Sequence, residues 1–364
     1  MIFGEGTLAV QFPVKRSSIL LFTFWMPLMA LSARAELGLF PVGAYAPETG
    51  AVAGAYAKWV KAQDSLRRPD QLAAWLTLAV RGQAEGGLRP EWWGAGNGWN
   101  AAGELSYQLW PASWHGVGPH SPASTQDFTA ERGKVEAVLR RQWAPGLYGG
   151  LCGLQVREHL RGPATLGELA HASGRDTGLG LELALDTRDD TVWPRRGYWL
   201  QVRGLRHASL VGGDWDYSRW LGDGRVYGEV AGGVLATQVA VEGRGGQVSP
   251  RALPKLSEWL RAVDELRFVD RWAGALRVEW RQDLPFTLPT RLGKMLAERS
   301  GWVFFAEGGQ VAERPGALTQ GAMAWSLGLG GRFALLPKER LNARADLAFG
   351  KEGVALRIKV GEEF

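Results

Sequence analysis

The chain has 364 residues, 46% of them hydrophobic and 22% charged, with 50 glycines, 18 tryptophans and a formal charge of +5. Beyond the N-terminus no apolar stretch approaches the roughly 18 residues of a spanning helix, so a helical membrane protein is excluded, as is a disordered chain. The single cysteine, Cys152, excludes an internal disulfide framework, and Lys and Arg scattered singly among apolar residues exclude the basic tract of a nucleic-acid binder.

The first element is an export signal. Lys15 and Arg16 precede an apolar run, Ile19 to Leu31, followed by Ser32-Ala33-Arg34-Ala35. A positive start, a short apolar core and a small-x-small site form a secretory leader, and Pro27 argues against a stable anchor. Cleavage is expected after Ala35, giving a signal peptide over 1–35 and a mature domain over 36–364. No Cys follows the cleavage site, which argues against a lipoprotein.

From there the pattern alternates with period two, as strands with two unlike faces do. Strands are expected near 37–45, 50–60, 71–83, 86–93, 98–110, 128–142, 146–160 and 175–187. They continue at 197–208, 214–229, 231–243, 269–283, 300–309, 321–335, 339–349 and 353–364. In the group at 269–283, Trp272, Leu276, Val278 and Trp280 alternate with Arg277, Glu279 and Arg281. At the C-terminus Val354, Leu356, Ile358, Val360 and Phe364 share one parity, while Arg357 and Lys359 take the other. A soluble sandwich also alternates. Strands of about 10 residues with charge at mid-strand favour a tilted membrane span around a polar lumen, with Trp in interfacial belts. The expected fold is therefore all-β, a transmembrane antiparallel β-barrel of about 16 strands in the bacterial outer membrane. Closure is required because an open edge in lipid leaves backbone groups unbonded.

Three stretches carry a family resemblance. The segment Leu185-Asp186-Thr187-Arg188-Asp189-Asp190, with Trp193-Pro194-Arg195-Arg196-Gly197-Tyr198, is similar to the D-T-R-D…P-x-x-G-Y strand–turn–strand of the bacterial surface antigen family, the BamA/TamA barrels. Asp and Pro form the turn and Gly197 supplies its unusual backbone angle, so Asp186, Arg188, Asp189, Pro194 and Gly197 read as folding residues rather than chemistry. Phe40-Pro41-Val42 with Pro47-Glu48-Thr49-Gly50 resembles the first hairpin of members that lack periplasmic POTRA domains. In the last third, Gly301 to Gly309 (GWVFFAEGG) resembles the F-x-D-x-G strand, and Ser326 to Phe333 and Gly361-Glu362-Glu363-Phe364 also fit.

The resemblance implies an extracellular loop folded into the barrel, its tip arginine set against acids of the wall. The matching residues are Arg261, in Leu260-Arg261-Ala262-Val263, with Glu279 and Glu307 as the acids. Ala262 stands where the family has glycine, Val263 where it has an aromatic, and Glu307 where Asp is usual. The charge logic survives these changes; the tight turn and the aromatic plug do not. The resemblance also implies that Phe364, on the membrane-facing parity, is the C-terminal signal for the outer-membrane assembly machinery. The strand at 353–364 is expected to close weakly on Leu37–Tyr45, where Pro41 cannot donate to a ladder.

No catalytic, cofactor or metal site is expected. His115, His120, His159, His171 and His207 show no ligand spacing, and each reads as a loop or interface residue. Gly243-Arg244-Gly245-Gly246 sits at a strand end, not before a helix, so it is no phosphate loop. The leading expectation is a non-enzymatic barrel for outer-membrane protein or lipid assembly. Its partners would be outer-membrane lipids, the assembly machinery and a periplasmic protein supplying the missing domain. The alternatives are a passive channel, whose lumen Arg157, Arg277, Arg281, Arg332, Arg344 and Arg357 would make anion-preferring, and a structural or accessory barrel.

Overall fold

The computed structural model describes residues 9–13, 30–32, 35–46, 50–61, 68–121, 125–162, 167–191, 193–284, 299–336, 341–360, 362 and 364. Most of the leader, Pro47-Glu48-Thr49, Gly361 and Glu363 lie outside them. Two short strands, β1 (Ala9–Pro13) and β2 (Ala30–Ser32), precede sixteen long ones. These are β3 (Ala35–Ala46), β4 (Gly50–Lys61), β5 (Asp70–Ala79), β6 (Ala84–Trp93), β7 (Trp99–Trp114), β8 (Gln126–Ala144), β9 (Leu147–Arg161) and β10 (Gly174–Asp186). Then come β11 (Gly197–His207), β12 (Tyr217–Val230), β13 (Gly233–Gly246), β14 (Trp272–Asp283), β15 (Ser300–Ala312), β16 (Ala324–Leu336), β17 (Leu341–Gly350) and β18 (Gly353–Val360). All sixteen expected strands are present.

Each strand from β3 to β18 pairs antiparallel with its sequence neighbour in one sheet. Inside, Phe40, Tyr56 and Ala73 of β3–β5 pack with Ala343 of β17 and Phe333 of β16, bringing the two ends of the sheet together. The expected ladder between 37–45 and 353–364 is not found among the described residues. The free side of β18 instead carries β1, with Val10 opposite Ile358 and Phe12 opposite Leu356, and β3 carries β2. A strand edge takes whichever strand satisfies its N–H and C=O groups. Here segments of the expected leader do so.

The outer face is apolar. Leu76, Leu105, Leu151, Leu181, Val202 and Leu327 point outward and are each more than half exposed. Exposed tryptophans stand at both ends of this belt, with Trp92, Trp99, Trp143 and Trp302 at one end and Trp220 and Trp325 at the other. Such rings prefer the membrane–water boundary, so the belt marks a bilayer span. The longest connection, 247–271, lies at the Trp220 end, which by the usual orientation of these barrels is extracellular. The turn after Asp186 lies at the other, periplasmic, end.

The polarity of the two faces reverses in one sector. On the upper part of β9, Val156, Glu158 and Leu160 face inward while Gln155, Arg157 and His159 are exposed. Arg157 therefore does not line the lumen, contrary to the sequence expectation. The cause is length: β8 runs 19 residues and rises with β7 and β9 above the belt, so its apolar side turns inward onto the long loop.

Candidate functional site

Side chains occupy much of the lumen, and the loop over 247–271 supplies its centre. Pro250–Ala252 and Leu256–Glu258 form two 3-10 turns. Lys255 bridges Val269, and the Ser257 hydroxyl donates to the Glu265 carbonyl at 2.7 Å, so the segment doubles back as a hairpin with Arg261 near its tip. Its apolar residues dock in two places. Leu253, Leu266 and Val269 pack on Trp114, Phe128 and Leu160, whereas Leu256, Trp259, Leu260, Val263 and Phe268 pack on the inner faces of β13–β16. At the loop surface Lys255, 3.2 Å from Glu265, holds that carboxyl down to about 2, while burial pushes the Asp270 carboxyl up.

Docking carries Arg261 to full burial. Its Nη2 donates to Glu279, its Nε lies 3.4 Å from Glu307 and 3.3 Å from Asp346, and its backbone N–H donates to Glu307 at 2.8 Å. The three residues singled out in the sequence, Arg261, Glu279 and Glu307, therefore meet. A buried guanidinium needs such partners, because an uncompensated ion in a low-dielectric interior costs several kcal/mol.

The departures from the family pattern are compensated locally. The Ala262 N–H donates to Ser326 Oγ at 3.0 Å, and its methyl packs with Val303, Phe305 and Ala348. A Cβ added at Gly350 would stand 2.8 Å from that methyl, so the wall rather than the loop provides the glycine here. Val263 joins the apolar core of the loop. The aromatic partner comes from the wall as well: the Arg261 guanidinium lies 3.8 Å from the centre of the Phe305 ring.

The network extends beyond those three residues. Arg344 grips Glu279 with both ends of its fork, at 2.7 and 3.1 Å, and donates to Asp346 at 2.9 Å. Arg281 donates to Glu279 at 2.9 Å, and Arg277 to Glu307 at 3.2 Å. Asp346 and Arg344 share Glu279's parity logic in the sequence, but only the curl of the sheet shows that β17 faces β14 across the lumen. A further loop contact had no sequence signal: Arg251, itself buried, donates to Glu158 at 2.8 Å and lies over Phe128. At the loop exit Arg267 donates to Glu352 at 3.0 Å.

The C-terminus closes the lower lumen. Strand β18 ends at Val360, and Phe364 is buried against Tyr227 and Ala236, inward-facing residues of β12 and β13. Its ring centre lies 4.8 Å from the Arg277 guanidinium and 5.3 Å from that of Arg281. Phe364 therefore faces the lumen, which corrects the expected membrane-facing parity. The pull comes from the charges beside it, since Glu362 is bound by Arg332, Arg344 and Asn342.

At the periplasmic end the turn residues come together. Asp186 accepts the Arg188 backbone N–H at 3.1 Å and its Nε at 2.9 Å, and Arg68 adds a further bond. Asp189 accepts the N–H groups of Arg195 and Arg196, Pro194 is buried, and Gly197 sits at φ 100°. A side chain at Gly197 would place its Cβ 2.4 Å from the Thr187 carbonyl oxygen.

One histidine departs from expectation. His207 is wholly buried in β11, where Nδ1 lies 2.6 Å from Asp176 and the ring stacks on Tyr217 at 4.1 Å. Tyr217 donates to the other Asp176 oxygen at 2.7 Å. The sheet ladder explains the meeting, because His207 pairs with both Gly178 and Tyr217. Among the described residues no cluster of three or more His, Cys, Asp or Glu could hold a metal ion.

No family model matches the chain. No curated protein matches it either. Among solved structures it is similar to BamA from Haemophilus ducreyi lacking POTRA domains 1–3, with a TM-score of 0.57 and 10% identity, covering 93% of this chain and 75% of that one. Weaker likenesses are to CdiB from Acinetobacter baumannii (TM-score 0.41, 10% identity, 98% and 59% covered) and to OpdQ from Pseudomonas aeruginosa (TM-score 0.38, 10% identity, 90% and 89% covered). At this identity the likeness is one of fold, and the fold is a sixteen-strand transmembrane barrel of outer-membrane type.

Proposed function

We propose that this barrel serves the assembly of outer-membrane proteins or lipids and is not a passive pore. The observation that carries this reading is a lumen occupied from both ends, by loop 247–271 above and by Glu362 and Phe364 below. Arg277, Arg281, Arg332 and Arg344, which a channel would present to passing anions, are each bound to Glu307, Glu279, Glu362 or Asp346. Charges spent on one another attract a diffusing ion weakly.

In this reading Arg261, Glu279 and Glu307 form a latch that holds the loop inside. Asp186, Arg188, Asp189, Pro194 and Gly197 keep the periplasmic turn in shape, and Phe364 serves the assembly machinery as a signal before it folds inward. Residues 1–35 are removed on export, which takes β1 and β2 with them and leaves the edges of β3 and β18 facing each other. The barrel is non-enzymatic and works with a periplasmic partner protein.

Two measurements test the proposal together: conductance in planar bilayers, and outer-membrane protein and lipid content in cells lacking the gene. Low, intermittent conductance with altered outer-membrane composition supports assembly. Large, steady, anion-selective conductance with unchanged composition supports the channel.

A further inference from the structure

The other half of the barrel holds a cavity that neither the loop nor the tail fills. It measures about 80 Å³ and lies at the periplasmic ends of β4 to β12. That is room for several water molecules or one phosphate-sized ion. Six cations line it, Lys58, Arg68, Arg89, Arg140, Arg188 and Arg225, against two carboxylates, Glu91 and Asp186. The acids that position three of these arginines, Glu104 for Arg89, Glu182 for Arg140 and Asp223 for Arg225, do not line the cavity. For these three the balancing charge sits behind the wall, while Arg68 and Arg188 share Asp186 on the wall itself, so cations outnumber carboxylates on the inner surface.

Two further features point to an occupant. The Gln201 side chain lines the cavity and is 4% exposed, yet its Nε2 finds no hydrogen-bond partner among the described residues. A buried donor left without a partner is destabilising, so an acceptor arriving there would recover its hydrogen bond. The arginines are also pre-set by aromatic rings: Arg68 stands 4.7 Å from the Trp93 ring centre and Arg188 5.1 Å from that of Trp199. Guanidinium forks fixed in this way match the oxygen edges of a phosphate better than flexible lysines would.

We propose that this periplasm-facing vestibule is a binding site for a phosphate group, carried either on a lipid headgroup or as the free ion. The inference needs only the folded barrel, so it stands apart from the assembly role proposed above.

The test is calorimetric titration of the folded, detergent-solubilised protein with inorganic phosphate and, separately, with dihexanoyl phosphatidic acid below its micellar concentration. Saturable one-to-one binding is expected. Gln201→Glu, which sets a carboxylate in place of the free donor, should weaken it at least tenfold, and Lys58→Gln severalfold. Tighter binding of the lipid than of phosphate identifies a headgroup site; equal binding identifies the free ion. No saturable binding of either probe overturns the proposal, and so does binding that both variants leave unchanged.

Discussion

The Nη2 group of Arg281 donates to the backbone carbonyl of Phe364 at 2.8 Å, across 83 residues of sequence. The last residue of the chain is thus fastened inside the barrel, by the same arginine that binds Glu279, the partner of the loop tip. Loop and tail share one charged network, and disturbing either end should be felt at the other.

Removing Arg261 tests the upper half of that network. Breaking a buried ion pair costs roughly 3–5 kcal/mol when it strands a charge. Glu279 keeps Arg344 and Arg281, and Glu307 keeps Arg277, so Arg261→Ala should fall at the low end of that range. The readout is the temperature at which the folded band is lost on a semi-native gel. An unchanged temperature would count against the latch.

The tail has two separable roles. Phe364→Ala removes a ring packed on Tyr227 and Ala236, and truncating a buried Phe typically costs about 3–5 kcal/mol. Refolded protein should therefore melt earlier. If Phe364 is also an assembly signal, the yield of barrel in the outer membrane should drop further than that of an equally destabilised lumen variant. Equal yields would leave Phe364 a packing residue only.

Glycines on β10 and β12 predict opposite outcomes for the same change. A Cβ at Gly178 would stand 2.6 Å from His207 Nε2, and that ring is held by Asp176 and Tyr217. Gly178→Ala should cost about 1–3 kcal/mol, as overpacking does. Gly222 has nothing within 4 Å of an added Cβ, so Gly222→Ala should stay within about 0.5 kcal/mol. Melting temperatures of the two variants, compared side by side, decide it.

Cys152 offers a reporter. It is buried with Val138, Leu154, Val156 and Leu205. A water-soluble maleimide should label it slowly in the folded barrel and rapidly after heating. Fast labelling of folded protein would mean that water reaches this side of the lumen.

Much of the wall was legible in the sequence because a strand's two faces are set by local geometry. Arg277, Glu279 and Arg281 alternate with Leu276, Val278 and Trp280, and they turn inward as that pattern requires. The turn at Asp186–Gly197 was legible for the same reason, since its bonds join residues close in the chain. Arg157 was misplaced because parity fixes two faces without saying which one meets lipid. Where β9 rises above the bilayer, water and the loop exchange the roles of the two sides.

What the sequence determined by itself, then, was the number of strands and their alternation; the pairing of the Arg261 charge with Glu279 and Glu307 was implied only by resemblance to a family pattern. Tertiary structure decided the rest. Asp346 and Arg344 join Arg261 because the sheet curls until β17 faces β14, Arg251 finds Glu158 because the loop leans on the raised part of β9, and Phe364 turns inward because Arg281 and Arg277 stand where the tail ends. Contacts across a lumen depend on the closure of the whole sheet, and no local pattern along the chain encodes them.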